Sequence, residues 1–153
     1  MQERLNYAKQ SPEAFRAMYA MESYLAGSGL EHSIRELVKI RASQINGCAF
    51  CIDMHTKDAR AAGETEQRIY ALNAWRETPF FNERERAALA WAEAVTRIGG
   101  GVSDELYEET RSQFSEKEIS DLTWTVAAIN AWNRIAISFR SVPGAYQPKQ
   151  HAQ

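Results

Sequence analysis

Cys48, Cys51 and His55 are separated by three and four residues, and Cys48 and Cys51 are the chain's only two cysteines. On a helix these offsets place two thiols and an imidazole along one face. A thiol in the first turn feels the partial positive charge of the helix end, which draws its pKa from about 8.5 toward neutrality and makes it a nucleophile. The spacing also allows a disulfide once one sulfur is oxidised. His55, one turn beyond Cys51, is within reach for proton exchange directly or through water.

A fourth residue enters through the turn before this helix. A helix over 31–46 ends at Gly47, a natural left-handed cap, and the cysteine helix follows over 48–62, ending at Gly63. If the two fold back on each other, Glu36 and His55 lie roughly 16 and 12 Å from the turn at about 1.5 Å per residue, close enough in level to meet. Glu36, His55 and Cys51 then have the logic of an activated nucleophile: an orienting acid, a base and a thiol. Two other readings of the cluster stay open at this point. Cys48 and Cys51 could be small buried hydrophobes, or two thiolates, one imidazole and one carboxylate could hold zinc. A Cys-x-x-Cys-x-x-x-His on one continuous helix spreads its ligands along the axis, which counts against metal.

The rest of the chain reads as all-α. Strand and hairpin signals are nearly absent, while helix caps recur. Ser11-Pro12-Glu13 starts a helix that stops at Gly27, and Thr65 starts another carrying Ile69, Leu72 and Trp75. Asn82 to Glu85 and Ser115 to Glu118 are capping boxes, Ser103-Asp104-Glu105 opens a further helix, and Gly99-Gly100-Gly101 is a loop. The last long helix, closed by Pro143-Gly144, bears Ile129, Trp132, Ile135 and Ile137 on more than one side, which predicts a surface buried in an oligomer. Trp75, Trp91, Trp124 and Trp132 read as core or subunit-interface residues. The 153 residues fit a single domain with a loose tail from about Pro143.

Charge excludes some classes. With 18 Lys+Arg against 20 Asp+Glu, and the basic residues scattered, nucleic acid is not expected as a partner. The opening residues lack a signal-peptide pattern and no stretch approaches about 18 uninterrupted apolar residues, so no membrane partner and a cytoplasmic location are expected. His32 and His151 read as ordinary structural histidines, and Asp53 and Asp58 as charges on an exposed face.

Glu36, eleven residues, Cys48-x-x-Cys51, three residues and His55 together resemble the core motif of the AhpD-like alkylhydroperoxidases, within the carboxymuconolactone decarboxylase superfamily. The flanking Ser43-Gln44-Ile45-Asn46-Gly47 and Ile52-Asp53-Met54-His55-Thr56 are similar to that family too; the match is close over 31–63 and looser downstream. The resemblance implies a helical fold that assembles into trimers or hexamers and reduces organic hydroperoxides without a cofactor or metal. By position it implies that Cys51 is the peroxidatic thiol, Cys48 the resolving thiol, and His55 and Glu36 the proton relay, with an external dithiol, such as a lipoyl group, restoring the pair. Well-known members carry a second His just before the second Cys; here that residue is Phe50, which removes one proton carrier. A dithiol–disulfide oxidoreductase acting on a protein or lipoyl partner, and an oligomeric redox sensor without turnover, are the alternatives. Decarboxylation of a carboxymuconolactone has no use for a vicinal dithiol.

Overall fold

A computed structural model describes residues 2–148. His151 therefore lies outside the described residues. Eight α-helices and no strand are present among them: α1 (Tyr7–Gln10), α2 (Pro12–Ala26), α3 (His32–Asn46), α4 (Ala49–Ala61), α5 (Glu66–Ala71), α6 (Glu83–Thr96), α7 (Asp104–Gln113) and α8 (Glu116–Phe139). A 3₁₀ turn, Leu72–Glu77, extends α5, and its Trp75 is buried.

The predicted punctuation sets most of these boundaries. Asn82 and Ser115 each close a reciprocal capping box, with Glu85 and Glu118 bonding back to the cap backbone. Gly47 sits at φ 70°, ψ 30°, the left-handed geometry that reverses the chain between α3 and α4. Two differences are found at the chain ends. Tyr7–Gln10 form an unpredicted turn of helix capped by Asn6, and Tyr7 stacks on Phe139 at 5.9 Å. The last helix stops at Phe139, short of Pro143, because Arg140 takes the left-handed cap conformation.

The centre of the bundle is α3, packed by α4, α6 and α8. Every residue from Ile34 to Ser43 is buried, including Arg35, Glu36, Lys39 and Arg41. The charged side of α3 is enclosed as well as its apolar side. Enclosure is tolerated because each charge is matched: Arg35 donates to the Leu25 carbonyl, Lys39 to Glu22 at 3.0 Å, Arg41 to Glu93 at 2.7 Å, and Glu36 meets His55. No buried side-chain nitrogen or oxygen among the described residues lacks a partner.

Apolar packing falls into three clusters around α3. Ile34 and Val38 join Trp91, Leu122 and Val126; Leu37 and Ile40 join Leu72, Trp75 and Leu89; Ala42 joins Cys48, Cys51, Ile129 and Ala136. Trp75 and Trp91 are core residues, whereas Trp124 is 51% exposed and Ile137 46%. Of the residues expected to spread apolar surface around α8, Ile129 is buried, Trp132 and Ile135 are partly buried, and Ile137 is exposed. No helix of the described residues is long and apolar enough to cross a membrane.

The segment after α8 is irregular but not loose as far as Pro148. Gly144 donates its N–H to Asp53 at 2.9 Å, Lys57 donates to the carbonyls of Gly144 and Tyr146 at 3.1 Å each, and the Tyr146 hydroxyl donates to Asp58 at 2.7 Å. A row of charges on α4 holds this strap, so Asp53 and Asp58 are half-buried bonding partners rather than free surface charges.

Candidate active site

Cys48 is the N-cap of α4, and its sulfur accepts the Cys51 backbone N–H at 3.4 Å. Capping geometry points it at the free amides of the first turn, where negative charge is favoured. Both sulfurs are buried and reduced, beside Phe50 and Trp132. The Cys51 thiol donates to Cys48; this bond first, then the first-turn amides of Cys51 and Phe50 and the Asn133 side chain, outweigh burial and draw Cys48 down to about 7. Cys51 moves the other way, pushed up by its bond to Cys48, by burial and by the neighbouring charge. Near neutral pH the pair is therefore partly ionised, with at most one negative charge shared between the two sulfurs.

One turn on, His55 is buried and its Nδ1 lies 2.8 Å from Glu36 Oε2. The fold-back about Gly47 thus brings the predicted acid and base together. Burial alone would raise the Glu36 carboxyl, but the hydrogen bond and charge of His55, with Lys39 and His32, hold it below the usual carboxylate range. Lys39 sits 3.8 Å from Glu36 and is shared with Glu22, which also accepts the Trp132 indole N–H at 3.0 Å. A surface groove of about 890 Å³, lined by His32, Glu36, Ala59, Arg68 and Phe81 among others, reaches the Glu36 side of the pair.

The zinc arrangement weighed from the sequence is not assembled. Among the described residues, the one group with three metal-capable atoms within 4.8 Å of one another is Glu36, His55 and Asp58, and it includes neither sulfur. Its imidazole nitrogen is already bonded to Glu36, and the Lys39 ammonium supplies positive charge there.

Sequence reasoning missed the residues behind the thiols. Asn133 of α8 is fully buried; its amide donates to Ser43 Oγ at 3.0 Å and accepts from Asn46 at 2.8 Å, which fixes its NH₂ group toward the sulfurs. Asn46 also donates to Asn130 at 2.9 Å, and Asn130 to Thr96 at 3.0 Å. Two asparagines inside an otherwise apolar stretch were the available signal, since a buried amide needs partners.

This geometry can be set beside known proteins. Residues 12–94 match the sequence profile of the carboxymuconolactone decarboxylase family. YdfG of Bacillus subtilis, an uncharacterized protein, is 49% identical over 139 residues, covering 90% of this chain and 95% of YdfG. A crystal structure from Agrobacterium tumefaciens, of a protein of unknown function provisionally assigned as the antioxidant defence protein AhpD, is 51% identical. It has a TM-score of 0.91 and covers 95% of this chain and 100% of that one. An uncharacterized peroxidase-related protein from Silicibacter sp. TM1040 is 28% identical with a TM-score of 0.77, over 85% of this chain and 70% of its own. With the profile, the relatives and the helical fold in agreement, the chain belongs to the carboxymuconolactone decarboxylase family, as an AhpD-like member.

Proposed function

We propose that the protein is a thiol-dependent alkylhydroperoxidase. The observation that carries the reading is the buried Glu36–His55 pair at 2.8 Å, one helical turn from a dithiol that begins to ionise near neutral pH. The Cys51 proton passes to Cys48 or His55, and the Cys51 thiolate attacks the terminal peroxide oxygen. The O–O bond breaks, leaving a Cys51 sulfenic acid and an alkoxide that takes a proton to become the alcohol. Cys48 then attacks the sulfenic sulfur, the S–O bond breaks, and the hydroxide leaves as water. The resulting Cys48–Cys51 disulfide is reduced by an external dithiol, of which a lipoyl group is one chemical candidate.

The low pKa of Cys48 favours one variant of this cycle, in which Cys48 attacks the peroxide and Cys51 resolves. Dimedone trapping separates the two orders. Cys48→Ser that accumulates a sulfenic acid on Cys51 supports the first, and Cys51→Ser that accumulates one on Cys48 supports the second. The function itself is tested by turnover of cumene hydroperoxide with a dithiol present. Wild-type turnover no faster than that of the Cys51→Ser variant, under every dithiol tried, contradicts it. Insulin-disulfide reduction outpacing peroxide turnover would instead favour a dithiol–disulfide oxidoreductase. We also propose assembly into a homo-oligomer through exposed apolar residues of α8 such as Trp124 and Ile137, which sedimentation of the purified protein tests.

A further inference from the structure

His55 has a second carboxylate beside it. Asp58 follows it by three residues on α4, and oxygen atoms of Asp58 and Glu36 and a ring nitrogen of His55 all lie within 4.8 Å of one another. Asp58 is fixed from outside its own helix, because the Tyr146 hydroxyl donates to it at 2.7 Å. Tyr146 is in turn placed by Lys57, which binds the carbonyls of Gly144 and Tyr146, and by Asp53, which accepts from Gly144 N–H. Three positions of α4, Asp53, Lys57 and Asp58, therefore hold a strap whose one aromatic hydroxyl ends on the carboxylate next to His55.

We propose that Asp58, clamped by Tyr146, is a positioning residue of the thiol site that sets the proton affinity of His55. This rests on the peroxidase reading above for its chemical purpose, but not for its physical content. The carboxylates beside the imidazole are Glu36 from α3 and Asp58 on its own helix; Lys39 and His32 act on Glu36, Tyr146 of the strap sits against Asp58 with Glu36 and Tyr19 near it, and Cys51 lies one helical turn before His55. Lys39 opposes a charged imidazole but is shared with Glu22 and Glu36. Asp58 adds a second anion at close range, which favours the imidazolium. A more basic imidazole takes the Cys51 proton more readily, and the imidazolium it becomes is the acid that protonates the departing alkoxide. Burial and the adjacent Asp58 and Glu36 charges push the Tyr146 phenol up, so it stays protonated and keeps donating. Without that donor the Asp58 side chain, which is only half-buried, is free to turn toward solvent.

The experiment is an NMR titration of the His55 imidazole in the reduced protein, alongside the pH profile of cumene hydroperoxide turnover. Asp58→Asn lowers the His55 pKa by about one unit, since it removes one close opposite charge. Tyr146→Phe lowers it by less, and Asp58→Glu restores it. The acid limb of turnover moves to lower pH by the same amount in Asp58→Asn. A His55 titration unchanged in Asp58→Asn overturns the proposal; should that variant not fold, an unchanged titration in Tyr146→Phe does so. An acid limb that stays in place while the titration moves also overturns it. If no variant and no wild-type protein turns over peroxide, the peroxidase reading fails, while the His55 shift still decides the role of Asp58.

Discussion

Glu36 of α3 and Glu93 of α6 are both buried glutamates, and they are partnered in opposite ways. Glu93 is saturated by fixed cations and an indole. Arg41 reaches it at 2.7 Å, Arg76 at 2.5 Å, Trp75 at 3.0 Å and Arg97 at 3.7 Å. Burial opposes its charge, but Arg76, Trp75 and Arg41 outweigh this and keep it ionised. No arginine can take or give a proton at accessible pH, so this cluster locks helices together and does nothing else. Glu36 has a titratable imidazole as its closest partner and a single lysine at 3.8 Å. Similar burial thus yields a fixed clamp in one case and, in the other, a pair able to exchange a proton, which the proposed function uses as a relay.

The largest effect expected from breaking this contrast is in stability. Glu93→Ala leaves Arg41 buried without its carboxylate and should cost about 3–5 kcal/mol in chemical denaturation. Peroxide turnover per folded molecule should be nearly unchanged. Glu36→Gln should do the reverse: kcat/KM falls about 100-fold for loss of the relay, while stability falls by about 1–2 kcal/mol, as for a hydrogen bond left incomplete. Equal losses of stability in the two variants would remove the distinction between clamp and relay.

Acid titration sharpens the same contrast. The Glu36 carboxyl is held below its ordinary value of 4.5 in the folded protein, so its contribution to stability is present above 4.5 and is lost as pH falls through the lower folded value. The stability gap between wild type and Glu36→Gln should accordingly narrow as the pH is taken below 4.5. The smallest effect concerns the thiols. Cys51→Ala removes the donor that stabilises the Cys48 thiolate, so the midpoint of Cys48 alkylation, expected at about 7 in wild type, should rise by about one unit. A midpoint that falls or does not move would contradict the shared-proton description of the pair.

Much of the site was legible because it is local. Glu36, Cys48, Cys51 and His55 lie within 20 residues of one another on two helices joined at Gly47, and helical rise alone predicted that the acid and base would meet. The caps at Asn82 and Ser115 were readable for the same reason. What escaped was non-local. The Asn133 to Ser43 bond spans 90 residues and the Tyr146 to Asp58 bond 88, and no periodicity reports such pairings. The full enclosure of α3 escaped too, because the groups that match Arg35, Lys39 and Arg41 lie on other helices. Asp58 was read as a surface charge for that reason, although it stands beside the relay.

In the proposed function the Glu36–His55 pair serves a dithiol that passes both electrons to a hydroperoxide. The most direct test is to treat the reduced protein with one equivalent of cumene hydroperoxide, with no reductant, and to measure intact and peptide masses together with the alcohol formed. The expected products are a protein lighter by two hydrogens with a Cys48–Cys51 linkage and one equivalent of cumyl alcohol, formed about 100-fold more slowly in Glu36→Gln. Two free thiols beside unconsumed hydroperoxide would contradict the proposed function.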